Sequence, residues 1–153
     1  MLFRSKNAVL IIDEAQLLTP RSLEQIRLLS NLETPSQKLL QIILIGQPEL
    51  KDLIARPDLT QLRQRITVRF HLPALSRDEV GNYLSHRLRV AGMDGTVFQD
   101  DAVCMVSEFS GGIPRLINVL ADRTMLGAFA KETRQINASL VECAAADLEG
   151  ATV

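Results

Sequence analysis

Two adjacent acids, Asp13 and Glu14, close the uninterrupted apolar run Val9-Leu10-Ile11-Ile12, and carboxylates so placed can divide the work of phosphate chemistry. One can hold Mg²⁺ directly or through water while the other polarises an attacking water. The run itself points to a ligand site. A strand buried on both faces needs continuous apolar sequence, and open parallel sheets bind ligands beyond their carboxyl edges. The run with its two acids fits a second reading equally well, in which the acids merely start a helix and suit its dipole. His71 and His86 have no partners at metal-ligand spacing. Cys104 and Cys143 lie far apart without a CxxC pattern, so neither a zinc site nor a disulfide framework is expected, and buried, reduced thiols are the default.

The elements that must position these residues follow from the apolar patterning. After a strand over residues 8–12, Thr19 caps a helix with Pro20 at its first position, and Leu23, Ile26, Leu28, Leu29 and Leu32 line one face to about Glu33. Thr34-Pro35-Ser36 breaks it. A second buried strand over 39–45 ends at Gly46-Gln47-Pro48-Glu49, a short helix covers about 49–55, and an Arg-rich turn from Leu62 leads into a third strand, Ile66-Thr67-Val68-Arg69-Phe70. Strand and helix alternating in this way predict parallel pairing through crossovers. Past Leu72-Pro73 the pattern becomes helical: a capping box at Ser76 and Glu79 starts a helix to about Ala91, Asp100 or Asp101 starts one to about Phe109, Pro114 starts one to about Lys131, and Asn137 caps one over about 138–148. The chain therefore reads as a partial α/β layer over residues 1–72, a four-helix appendage over 73–150 and a frayed tail at 151–153.

Composition sets the outer limits. The 153 residues suit one domain, or one with a small appendage, and 46% hydrophobic with 23% charged residues is ordinary for a folded chain. A net charge of −1, from 17 basic and 18 acidic residues, exerts no global pull on nucleic acid or an anionic membrane. No apolar stretch approaches the roughly 20 residues of a membrane span, and the first residues lack the apolar core of a signal peptide, so a cytoplasmic chain is expected.

The ordered series of motifs resembles the second half of an AAA+ ATPase, and in detail the general secretion pathway protein A family of bacterial secretion and pilus-biogenesis ATPases. Leu10-Ile11-Ile12-Asp13-Glu14-Ala15-Gln16 matches that family's Walker B strand. The resemblance implies that Asp13 helps coordinate Mg²⁺ and that Glu14 orients the water attacking the γ-phosphate of ATP. Ile45-Gly46-Gln47-Pro48-Glu49-Leu50 matches sensor 1, so that Gln47 would read the γ-phosphate or hold the attacking water. Leu62-Arg63-Gln64-Arg65-Ile66 matches the arginine-finger segment. There a forked, permanently charged guanidinium acts in trans on a neighbouring subunit's phosphate. Arg65 is favoured over Arg63 because it adjoins the strand expected from Ile66. Gly111-Gly112-Ile113-Pro114-Arg115-Leu116-Ile117-Asn118 resembles sensor 2, in which Arg115 faces phosphate from a helix start, while Arg123 reads as a surface or packing charge.

The fold this implies is α/β, an incomplete P-loop NTPase (AAA+) parallel sheet followed by a small all-helical lid domain. No GxxxxGK[ST] occurs among the 153 residues, so nothing in them can cradle the β-phosphate. By resemblance the Walker A half would precede the Walker B strand and supply the middle of the sheet, and a fragment is the simplest explanation. The leading expectation is therefore an ATPase, converting ATP to ADP and phosphate when complete but inactive as this chain alone. It would work as a homo-oligomer at the cytoplasmic face of the inner membrane, driving assembly of a secretion or pilus machine. A non-hydrolysing remnant that binds partner subunits is the alternative. A transposition-type, DNA-associated ATPase is a third reading: residues 56–89 hold seven arginines against three acids but lack the regular interleaving of aromatics that stacks successive bases.

Overall fold

In the computed structural model, which describes residues 8–30, 33–34, 37–38, 40–93 and 95–150, the apolar run forms strand β1 (Ala8–Ile12). It pairs in parallel with β4 (Leu40–Leu44), in register from Ala8 opposite Leu40 to Ile12 opposite Leu44. The crossover between them carries α1 (Pro20–Leu29) and a two-residue-per-strand hairpin, β2 (Glu33–Thr34) against β3 (Gln37–Lys38). Thr19 caps α1 as expected, its Oγ1 accepting from Ser22 N at 3.1 Å, with Pro20 in the first turn. The helix stops at Leu29 rather than near Glu33. Ser30 Oγ donates to the Arg27 carbonyl at 2.6 Å, and the backbone ahead of Pro35 is steered to extended geometry. Leu32, Pro35, Ser36, Leu39 and the tail at 151–153, on which parts of the sequence reading rest, lie outside the described residues.

After β4 come α2 (Glu49–Ala55), a 3-10 turn over Pro57–Leu59 and α3 (Thr60–Arg65). Leu23 and Ile26 of α1 pack with Leu59 and Leu62, and Ile12, Ile42, Leu44 and Ile66 are half-buried against them. Only one face of the β1–β4 pair is covered in this way. Val9, Ile11 and Ile43 on the other face are 52%, 59% and 46% exposed, which corrects the expectation of strands buried on both sides. A second correction concerns residues 66–70. They form no strand: no described strand lies beside them to accept their ladder, and Val68 and Phe70 are more than three-quarters exposed. The Arg-rich turn before them is helical, as α3.

Residues 1–70 form one compact unit and 71–153 another. The second is a helical assembly of α4 (Arg77–Val90), α5 (Asp100–Ser110), α6 (Pro114–Ala130) and α7 (Ala138–Gly150). Val80, Val106, Ile117 and Val141, one from each helix, are fully buried at its centre. Buried Thr124 satisfies its hydroxyl on the Leu120 carbonyl at 2.7 Å. The Asp101 carboxylate accepts from Ala102 N at 2.8 Å and from Ala138 N at 3.1 Å, joining the starts of α5 and α7. Asn137 Oδ1 accepts from Leu140 N at 3.2 Å, as its capping role requires. Cys104 is half-buried and Cys143 exposed, so the expectation of two buried thiols does not hold. No helix among the described residues is long and apolar enough to cross a membrane.

Candidate functional site

The parallel pairing brings the ends of β1 and β4 together. Ile45 N donates to Ile12 O and Ala15 N to Ile45 O, both at 2.8 Å, so the Asp13-Glu14 turn is stitched to the segment that follows β4. Asp13 and Glu14 are exposed at this carboxyl edge. Asp13 Oδ1 accepts from Glu14 N at 2.8 Å. Glu14 has φ 51° and ψ 36°, a left-handed conformation that a non-glycine residue adopts at some energetic cost and that turns the chain sharply out of the strand. Glu14 therefore leads into a 3-10 turn, Ala15–Leu17, and not directly into α1.

Gln16 fills the space between the two strand ends. Its Nε2 donates to Glu14 Oε2 at 2.5 Å, and its Oε1 accepts from Gln47 N at 3.1 Å. Gly46 makes room for it, since a Cβ there would lie 2.6 Å from Gln16 Oε1 and 3.2 Å from Gln16 N. The Gln47 side chain is exposed beside this bridge, while its carbonyl accepts from Leu50 N at 2.9 Å and starts α2. The sequence reading missed Gln16, because its partner lies 31 residues away and nothing local marks the pairing.

Arg65 is the exposed last residue of α3, not the neighbour of a strand, so the reason for preferring it to Arg63 changes. Arg63 is half-buried and turned back on its own unit, its Nη1 donating to Ala55 O at 3.4 Å. Arg56 is committed to Asp58 through two bonds of 3.0 Å. The Arg56 hydrogen bond is the main cause holding the Asp58 carboxyl below its usual range.

In the helical unit, Gly111 and Gly112 adopt φ 56° and 72° and reverse the chain between α5 and α6. Leu75 N donates to Gly112 O at 2.9 Å, and Gly112 N donates to the buried Ser110 hydroxyl at 3.2 Å. Pro114 opens α6, which puts Arg115 in its first turn, exposed and, among the described residues, in no ion pair. Tyr83 Oη donates to Asn118 Oδ1 at 3.1 Å and links the start of α6 to α4. A cation in the first turn opposes the helix dipole, an arrangement that an external anion would offset. Arg123 is exposed.

Among the described residues no cluster of three or more His, Cys, Asp or Glu could enclose a metal ion. The donor set at the β1 edge is a single exposed Asp with Glu beside it. That set fits Mg²⁺, which keeps most of its waters and takes one or two carboxylates together with substrate phosphates.

Residues 2–54 match the model of the AAA domain family. The chain is 48% identical over 145 residues to general secretion pathway protein A of Aeromonas hydrophila, a match that covers 95% of this chain and 26% of that protein. It thus spans about a quarter of that relative's length. Among solved structures, a RuvB variant from Thermotoga maritima superposes with a TM-score of 0.70 at 18% identity, over 89% of this chain and 43% of that one. The ADP form of the Aeropyrum pernix ORC2 protein gives 0.65 at 18% identity, over 90% and 39%. At these identities the two structures speak to fold alone. With the parallel strand pair and the four-helix unit, they indicate a partial AAA+ fold, and the long sequence match makes the chain similar to a portion of general secretion pathway protein A.

Proposed function

We propose that this chain is the Walker B, sensor and lid portion of an ATP-hydrolysing AAA+ motor that serves a bacterial secretion or pilus-assembly machine at the cytoplasmic face of the inner membrane. The observation that carries the reading is the carboxyl edge of β1 and β4, where Glu14 turns out of the strand and lies one glutamine away from the Gln47 backbone. In this reading Asp13 helps hold Mg²⁺, Glu14 polarises the attacking water, and Gln47 senses the γ-phosphate. Arg115 answers phosphate charge from the helical unit. Arg65 completes the site of a neighbouring copy. Mg²⁺, when bound, would neutralise charge on the phosphates and leaving group. The phosphate cradle and the remaining sheet strands come from chain beyond these 153 residues. The uncovered apolar face at Val9, Ile11 and Ile43 and the segment at 66–70, which has no described strand beside it, support that view, since both have the composition of interior sheet.

The test is Glu14→Gln in the complete ATPase, read as turnover and as nucleotide binding. Removing only the base should leave ATP bound and lower kcat by about 10²-fold or more, the usual worth of general-base assistance. Turnover within a factor of about two of the parent would remove Glu14 from the chemistry.

A further inference from the structure

Gln16 is more than a turn residue, and its chemistry fixes how it is oriented. The group facing its Oε1 is a backbone N–H, which can only donate, so the amide oxygen must point at Gln47 and the amide nitrogen at Glu14. Leucine offers neither group. A glutamate there would set a second carboxylate against Glu14, and an asparagine is one methylene short. Two further features accommodate this side chain. The left-handed backbone at Glu14 folds the chain so that side chains two residues apart meet, and Gly46 leaves the gap through which the amide passes.

We infer that Gln16 is a positioning residue that couples the Glu14 carboxylate to the sensor 1 segment at Gln47. The bridge engages Oε2 of a Glu14 that is otherwise exposed. A shift of the Gln47 backbone is then transmitted through one rigid amide to the orientation of Glu14, and a reorientation of Glu14 is transmitted back. The consequence for hydrolysis rests on the proposed role of Glu14 as the water-polarising base. The bridge itself can be tested without any turnover.

The experiment is backbone amide hydrogen exchange by NMR on the 153-residue chain, following Gln47, with the α1 amides as a control that the unit remains folded. Gln16→Leu should lower Gln47 protection about fivefold, the worth of one ordinary hydrogen bond. Glu14→Ala should lower it by a comparable factor, although Glu14 does not touch Gln47, and should add nothing in the Gln16→Leu background. Gly46→Ala should act likewise while removing no hydrogen-bonding group. Glu14→Gln, which keeps an acceptor oxygen for Gln16, should restore protection to within about twofold of the parent. The coupling is overturned if Gln47 protection is unchanged in Glu14→Ala, or if the two substitutions add independently. Because Glu14→Gln preserves the bridge but removes the base, loss of turnover in that variant reports on the proposed function alone. The exchange data report on the bridge alone.

Discussion

Gly111 and Gly112 are neighbours with similar backbone angles, yet the structure gives them different sensitivities to an added methyl group. Both lie in the left-handed region, where an L-residue is strained by about 1–2 kcal/mol. At Gly111 a Cβ would meet nothing within 4 Å. At Gly112 it would overlap the Leu75 carbonyl oxygen and lie 2.9 Å from Leu75 N, backbone atoms that cannot rotate away. Relief requires moving the Leu75 backbone, which gives up the Leu75 N to Gly112 O bond, worth about 0.5–1.5 kcal/mol, and adds overpacking strain of about 1–3 kcal/mol. The reduced freedom of the unfolded chain returns about 0.4–1 kcal/mol in both variants. Gly111→Ala should therefore destabilise the helical unit by about 1 kcal/mol and Gly112→Ala by about 2–5 kcal/mol. Thermal unfolding followed by far-UV circular dichroism reads the difference. For a unit of this size Gly112→Ala should lower Tm by more than about 10 °C, and Gly111→Ala by well under that. Equal shifts would mean that the contact with Leu75 does not hold the α5–α6 reversal, and the account of how Arg115 is positioned would fail with it.

Two other perturbations test the same framework. Glu79 accepts from both the backbone amide and the hydroxyl of Ser76, at 2.8 and 2.7 Å, and these bonds, the backbone one first, hold its carboxyl below the ordinary 4.5. A carboxyl depressed in the folded state stabilises fully above its unfolded pKa and loses that contribution as pH falls through the folded one. The Tm difference between the parent and Glu79→Gln should thus be steady near neutrality and shrink below about pH 4.5; a difference that does not change with pH would show that the carboxylate charge is not what starts α4. Arg65→Ala in the complete ATPase should lower kcat by about 10³-fold or more, and mixing with subunits that retain Arg65 but carry Glu14→Gln should restore activity at shared sites. Absence of rescue would assign Arg65 to its own helix end, where any cation suits the dipole.

The helical unit was legible in the sequence because its signals are local. Ser76 with Glu79, Asp100 with Asp101, the double glycine before Pro114, and Asn137 each declare a helix end within three or four residues, and α4 to α7 begin within a residue of the positions expected from them. The α/β unit was legible only in part. The run at 8–12 and the run at 66–70 are equally strand-like in composition, but a strand also needs a neighbour at ladder distance, and composition cannot say whether one is present. β1 has β4 beside it and forms; residues 66–70 have no described strand beside them and form none, with residues 67–70 exposed. Likewise, an apolar run states what a surface is suited to bury, not what covers it, which is why Val9 and Ile11 are exposed.

The candidate site divides along the same line. Asp13 and Glu14 could be picked out because they close an apolar run, so that residue type and strand end coincide in one short window, and Gln47 through the resemblance of its segment to sensor 1. Their connection could not. It passes through Gln16 and depends on parallel register, on a left-handed Glu14 and on the absence of a side chain at residue 46, three conditions that join residues 31 apart in sequence. The arginines show the opposite case. Sequence placed Arg63 and Arg65 as near equals two residues apart, and the structure separates them by exposure. Arg63 is drawn back to the Ala55 carbonyl, whereas Arg65 stands exposed at the end of α3. A residue that must reach a neighbouring subunit's phosphate has to be presented outward from a rigid support, and a helix terminus meets that requirement as well as the strand first expected there.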